Sequence, residues 1–236
     1  MRPCGVHLCD TLWGVRMSVR LGTSAVAVLG LVFAATWTAP AAVADPASPV
    51  APAPVTLATA EHSAVKVVDG FWKRHFAEIF GREYTSPQVK GGYLGTNGPA
   101  CGTQPAIAFN AFYCRPGDFL AWDENLMSTG FQKVGDSWVY LVIAHEWGHA
   151  IQARIKRGLT SISVELQADC LAGATLQGAA NDGLVTVEPG DAQELARTLE
   201  AAADDYPWTN QRDHGDAQQR ISSFNTGAAK GVKACF

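Results

Sequence analysis

Within the run His145-Glu146-Trp147-Gly148-His149, two imidazoles and a carboxylate stand at a spacing that suits a metal ion. In a chain of this composition H-E-x-x-H arises by chance roughly 0.006 times. On a helix, four residues turn about 400°, so both imidazoles share one face and can share one ion. Glu146 lies about 100° round, outside that face but within reach of a water at the metal. Zinc lowers the pKa of such a water to about 7, and a neighbouring carboxylate can take its proton as the oxygen attacks a carbonyl. The competing reading is a pair of core histidines on an ordinary helix, which would have to bury or otherwise satisfy Glu146.

A catalytic zinc needs a third protein ligand and an open position. The H-x-x-G-x-x-H continuation of one large peptidase class is absent, because Gln152 stands where Gly is required and Ile155 where His is required. Sixteen residues past His149 comes Glu165-Leu-Gln-Ala-Asp169, two acids one helical turn apart. E-x-x-x-D by itself is common on solvated helices. Its apolar setting here (Val164, Leu166, Ala168, Cys170, Leu171) after H-E-x-x-H favours Glu165 as third ligand from a second helix, with Asp169 accepting the outer N–H of a ligand histidine.

H-E-x-x-H followed by E-x-x-x-D resembles the gluzincin pattern of thermolysin-like enzymes. In this order, the segments IAHEWGHAIQ, VELQADCLAG, ACG with FYC, and HGDAQQR are similar to the bacterial neutral zinc metallopeptidases over about residues 65–235. Trp147, Ala150 and Asp216 depart from that family's pattern, which bears on specificity and not on the proposed ligands. The resemblance implies a zincin-like peptidase with one zinc ion per chain and Glu146 as general base. It also implies that a histidine downstream of the third ligand donates to the oxyanion of the transition state, and His214 is the only histidine after the metal motifs. A surface position beside a helix cap is the other reading of His214, and it is next in line as a ligand if Glu165 is not one.

These residues need elements to hold them. Val65, Val68, Trp72, Phe76, Ile79 and Phe80 recur at helical intervals from Glu61 to a stop at Gly81. His62 and His75 on that helix read as solvent-facing or capped. Residues 86–105 hold five Gly and three Pro and read as loop. Residues 106–114 and 119–122 are short aromatic runs around Arg115-Pro116-Gly117-Asp118 and read as a strand pair that could line the cleft. Helices are expected at about 136–157, 163–181, 191–205 and 216–230. Asp191 with Glu194, and Asp216 with Gln219, show capping-box spacing. The expected fold is therefore α+β, helix-dominated, with a small antiparallel sheet before the active-site helix.

The remaining signals concern compartment. Residues 21–37, LGTSAVAVLGLVFAATW, follow Arg16 and Arg20 and lead to Ala42-Val43-Ala44, which describes residues 1–44 as a secretory signal peptide, with Met17 a possible true start. An uncleaved membrane anchor is the alternative. Residues 45–60 alternate Pro with small residues and read as a linker or short propeptide, leaving 61–236 as the peptidase domain. Past residue 44 the chain carries 15 basic and 21 acidic residues, with no basic run to suit nucleic acid. It also keeps four cysteines, an even number that suits two disulfides in an exported protein. Cys101 and Cys114 lie 13 apart around a turn and are expected to pair, leaving Cys170 for Cys235. The expectation is a secreted zinc endopeptidase acting on peptides or proteins, with oligomeric state unassigned. A non-proteolytic zinc-stabilised binding module and a membrane-anchored interaction protein are the alternatives.

Overall fold

The computed structural model describes residues 55–155, 161–204 and 214–236. The signal-peptide reading at 1–44 and the first ten residues of the linker reading, 45–54, lie outside them, whereas the last four linker residues, 57–60, belong to the first helix. Among the described residues, six helices and a three-stranded sheet follow in the order α1 (Leu57–Phe80), β1 (Gln88–Tyr93), β2 (Ala111–Cys114), β3 (Phe119–Asp123), α2 (Glu124–Lys133), α3 (Ser137–Ile155), α4 (Ser161–Asn181), α5 (Asp191–Ala201) and α6 (Ala217–Lys230), with a 3₁₀ turn at Val232–Cys235. The fold is α+β and helix-dominated, as expected.

α1 begins four residues earlier than the periodicity suggested. Thr56 and Thr59 cap its first turn reciprocally, and the last proline of the preceding segment is Pro54, so nothing blocks a start at Leu57. It ends at Gly81, whose φ of 66° is the left-handed cap that glycine adopts without strain. Val68, Trp72 and Phe76 are fully buried in one core shared with α3, α4 and α6. α3 is apolar nearly all round because it runs through that core, with Trp138 to Ile151 mostly buried.

Three local expectations need correction. The sheet is mixed: β1 pairs parallel to β3, and β2 pairs antiparallel to it, in the order β1-β3-β2. β1 lies in the stretch taken for loop. Its glycines fit the register with β3: the ladder slips between Val89 and Gly91, where φ is 77°, and at Gly92 the Glu124 side chain lies where a Cβ would be. α2 lies outside the expected helices, and at its Gly130 a Cβ would sit 2.0 Å from the Trp138 ring. Asp191 is not a cap. Gly190 holds that position, Asp191 is the first helical residue, and Glu194 instead accepts the Ser137 N–H at the start of α3 (3.3 Å). The Asp216–Gln219 capping box does form.

Both expected cysteine pairs are joined, Cys101 with Cys114 and Cys170 with Cys235. The first ties the loop after β1 to β2. The second ties α4 to the chain end. Among the described residues, no helix is long and apolar enough to cross a membrane.

Candidate metal centre

Three close helix contacts bring the site together. α3 and α4 approach at Gly148, where a Cβ would lie 3.0 Å from the backbone of Ala168. α4 and α6 touch more tightly still: a Cβ on Gly227 would meet the Cys170 carbonyl oxygen at 1.8 Å, and one on Gly173 the Phe224 carbonyl oxygen at 2.1 Å. At Gly173 and Gly227 only glycine permits the spacing, and the close approach at Gly148 sets Glu165 and Asp169 of α4 opposite His145 and His149 of α3.

His145 Nε2 lies 3.0 Å from Glu165 Oε2, and His149 Nε2 lies 3.4 Å from Glu165 Oε1. Ligand atoms about 2.0–2.1 Å from a tetrahedral zinc ion stand about 3.3 Å apart, so these separations fit one ion between the three side chains. Their donor atoms all fall within 4.8 Å of one another. His145 turns its other nitrogen outward, where Nδ1–H donates to Asp169 Oδ1 at 2.8 Å.

Sequence reasoning missed the group behind it. Arg220 of α6 grips Asp169 with two parallel bonds, Nε to Oδ2 and Nη2 to Oδ1, both 2.8 Å, and a third N–H reaches the Ala202 carbonyl. Asp169 is fully buried, and a buried carboxylate needs such a cation. Arg220 closes the HGDAQQR segment, so a search for the partner of a buried Asp169 could have found it there. Burial opposes ionisation of Asp169, but Arg220 and then His145 hold its carboxyl below the usual range. Burial also opposes the charge on His145, yet Asp169 and Glu165 push it up to about 10. Glu165 is likewise opposed by burial, and its bonds to His145, His149 and His214 hold it far below an ordinary carboxylate. The three donors thus surround a place that favours positive charge, whether a proton or a metal cation.

The site forms the floor of a cleft of about 450 Å³. Glu146 lines it, beside His145 and His149. His214 stands at the lip with its side chain 39% exposed, against 8% for His145, and Nδ1 3.2 Å from Glu165 Oε2. Its N–H and that of Gly215 both donate to the Asp204 carboxylate (3.0 and 2.8 Å). The opposite wall is Asn110 to Tyr113 with Arg115, along the free edge of β2. Trp147 and Ala150, expected to bear on specificity, are buried on the core side, and Trp147 Nε1–H donates to the Tyr84 hydroxyl. His62 is exposed on α1, and His75 pairs with Asp182 at 2.7 Å; neither lines the cleft.

Over residues 22–235 the chain matches the profile of the family described as "Putative neutral zinc metallopeptidase". It is 29% identical over 192 residues to an Escherichia coli (strain K12) protein named "Uncharacterized protein YpfJ", and equally to the protein of that name in E. coli O6:H1. The alignment covers 69% of this chain and 64% of each relative, so the chain spans less than two thirds of their length. No solved structure matches the chain significantly. The match runs from before α1 to Cys235 and takes in every side chain on the cleft floor, and the chain belongs to the neutral zinc metallopeptidase family.

Proposed function

We propose that the protein is an exported zinc-dependent endopeptidase whose metal is held by His145, His149 and Glu165. The observation that carries this reading is the convergence of those three donors on a cleft floor with Glu146 beside them. The donor set is two imidazoles and a carboxylate, the composition of catalytic zinc sites that keep one position open. Zinc there would supply Lewis-acid polarisation of a water and of the scissile carbonyl.

The remaining steps belong to the chain's own groups. Asp169 holds His145 with Nδ1 protonated, which leaves Nε2 as its lone-pair nitrogen. Glu146 takes the proton of the attacking water and delivers it to the leaving nitrogen. His214, exposed at the lip, donates a hydrogen bond to the oxygen that gains charge in the transition state. The free edge of β2 pairs with the backbone of an extended peptide, which suits endopeptidase action on unfolded segments. Export accords with the two disulfides, which persist in oxidising compartments.

The test pairs metal analysis with digestion of a mixed peptide pool. The wild type is expected to carry one zinc and to lose hydrolysis on chelation. Glu146→Gln keeps the size and loses the base, so zinc should remain while hydrolysis falls by about two to four orders of magnitude. Wild-type rates in that variant would remove Glu146 from the chemistry.

A further inference from the structure

The two histidines are supported differently. His145 leans on a buried ion pair, whereas His149 Nδ1 meets the Oε1 of Gln152, one turn along the same helix, at 2.8 Å. Gln152 Nε2 donates to the Val164 carbonyl (2.7 Å) and to Gln167 Oε1 (3.2 Å). Gln167, itself buried, donates its Nε2 to the Cys235 carbonyl at 2.8 Å. Cys235 is crosslinked to Cys170, three residues after Gln167 on α4.

Each amide in this series has only one workable orientation. A carbonyl oxygen can only accept, so Cys235 fixes which end of Gln167 is the donor. Gln167 then presents an oxygen to Gln152, and Val164 presents a second, so Gln152 must turn its NH₂ toward both. What remains for His149 is an acceptor. That places a hydrogen on Nδ1 and makes Nε2, the atom 3.4 Å from Glu165 Oε1, the nitrogen whose lone pair would go to a metal.

We propose that Gln152 and Gln167 are positioning residues that pass the fixed location of the C-terminal Cys170–Cys235 crosslink to the tautomer and orientation of His149. The disulfide thereby sets the metal affinity of a cleft whose lining includes neither cysteine. The inference rests on the metal-site reading above.

The experiment measures the zinc dissociation constant of the full chain by competition with a chromophoric chelator, beside the melting temperature of the metal-free protein. Gln167→Met keeps length and apolar bulk and removes both amide functions. It is expected to weaken zinc by about tenfold, the lower end of what loss of a ligand's supporting partner costs. Cys170→Ser/Cys235→Ser should weaken it comparably, and the triple variant no further, because all three act through one series of bonds. A purely structural role would lower the melting temperatures and leave the dissociation constant unchanged, or the losses would add in the triple variant; either result overturns the proposal. Should the serine variants fail to fold, folded Cys101→Ser/Cys114→Ser protein is titrated with a phosphine reductant. Zinc affinity must then fall as Cys170–Cys235 opens, and constant affinity overturns the proposal. If His145→Ala and His149→Ala leave zinc binding intact, the metal-site reading fails and takes this inference with it. If they abolish binding while Gln167→Met changes nothing, only the relay fails.

Discussion

The two walls of the cleft are built on opposite principles. The helical wall is tight: α4 and α6 meet through Gly173 and Gly227 at distances no side chain would tolerate, α3 and α4 meet closely at Gly148, and His145, His149 and Glu165 stand on it. The sheet wall is an edge. Among the described residues β2 has a strand partner on one side only; it packs Ala111 and Tyr113 against the main core and Phe112 and Cys114 into a smaller cluster, and is tied further by Cys101–Cys114 and by the Tyr113 hydroxyl, which donates to the Asp118 carboxylate that Arg154 also holds. Behind it, the buried Asp123 carboxylate gathers backbone N–H groups from Phe109, Asn125 and Gly95. A metal site needs donors fixed to a fraction of an ångström, which close-packed helices supply. A peptide needs a free row of backbone groups, which only an unpaired edge supplies.

If the division is real, injuries to the two walls should separate. The largest effect is expected on the helical side. Arg220→Met strands the buried Asp169 carboxylate and should cost about 3–5 kcal/mol of stability in the metal-free protein, measured by urea unfolding. A loss under about 1 kcal/mol would mean that the pair contributes little. Next comes the lip between the walls: His214→Ala should keep zinc and lower kcat by about 10²–10³, the usual effect of losing one oxyanion donor. Loss of zinc would make His214 a ligand, and unchanged kcat would return it to the surface.

On the sheet side, Cys101→Ser/Cys114→Ser opens a loop of 13 residues' separation and should cost about 3 kcal/mol with zinc still bound at full stoichiometry. Metal loss there would show that the donors depend on both walls. The smallest effect is a titration. In metal-free protein His145 is pushed up to about 10 from 6.5, so its contribution to stability is present below about pH 6.5 and lost as pH rises through about 10. Zinc must displace that proton. Calorimetry in buffers of different ionisation enthalpy should therefore detect proton release on zinc binding at pH 7.5, and apparent affinity should rise with pH up to about 10. Buffer-independent heats would contradict a protonated His145.

Local signals were legible wherever one helix or one turn carried them. His145 and His149 share a face because of helical pitch alone, and the Asp216–Gln219 box closes within one turn. Cys101 and Cys114 could be paired because they flank a short excursion. The misses share another cause. β1 looked like loop because its glycines answer to Glu124 and to an irregular ladder with β3, neither visible within the stretch 88–93. Glu194 looked like the partner of its own helix start, and its carboxylate is spent on α3, 57 residues away.

From the sequence alone came the donor types, their helical phase, the acid beside them and the even cysteine count, all properties that backbone geometry imposes over four or five residues. Only the tertiary structure decided that Gly148 admits α4 close enough for Glu165 to reach both imidazoles, that Arg220 arrives from 51 residues away to neutralise Asp169, and that Gln167 reaches the Cys235 carbonyl across 68. Those meetings depend on which surfaces can approach without a Cβ between them and on which buried charges must find partners. Both are set by the packing of whole helices, so no local stretch of sequence carries them.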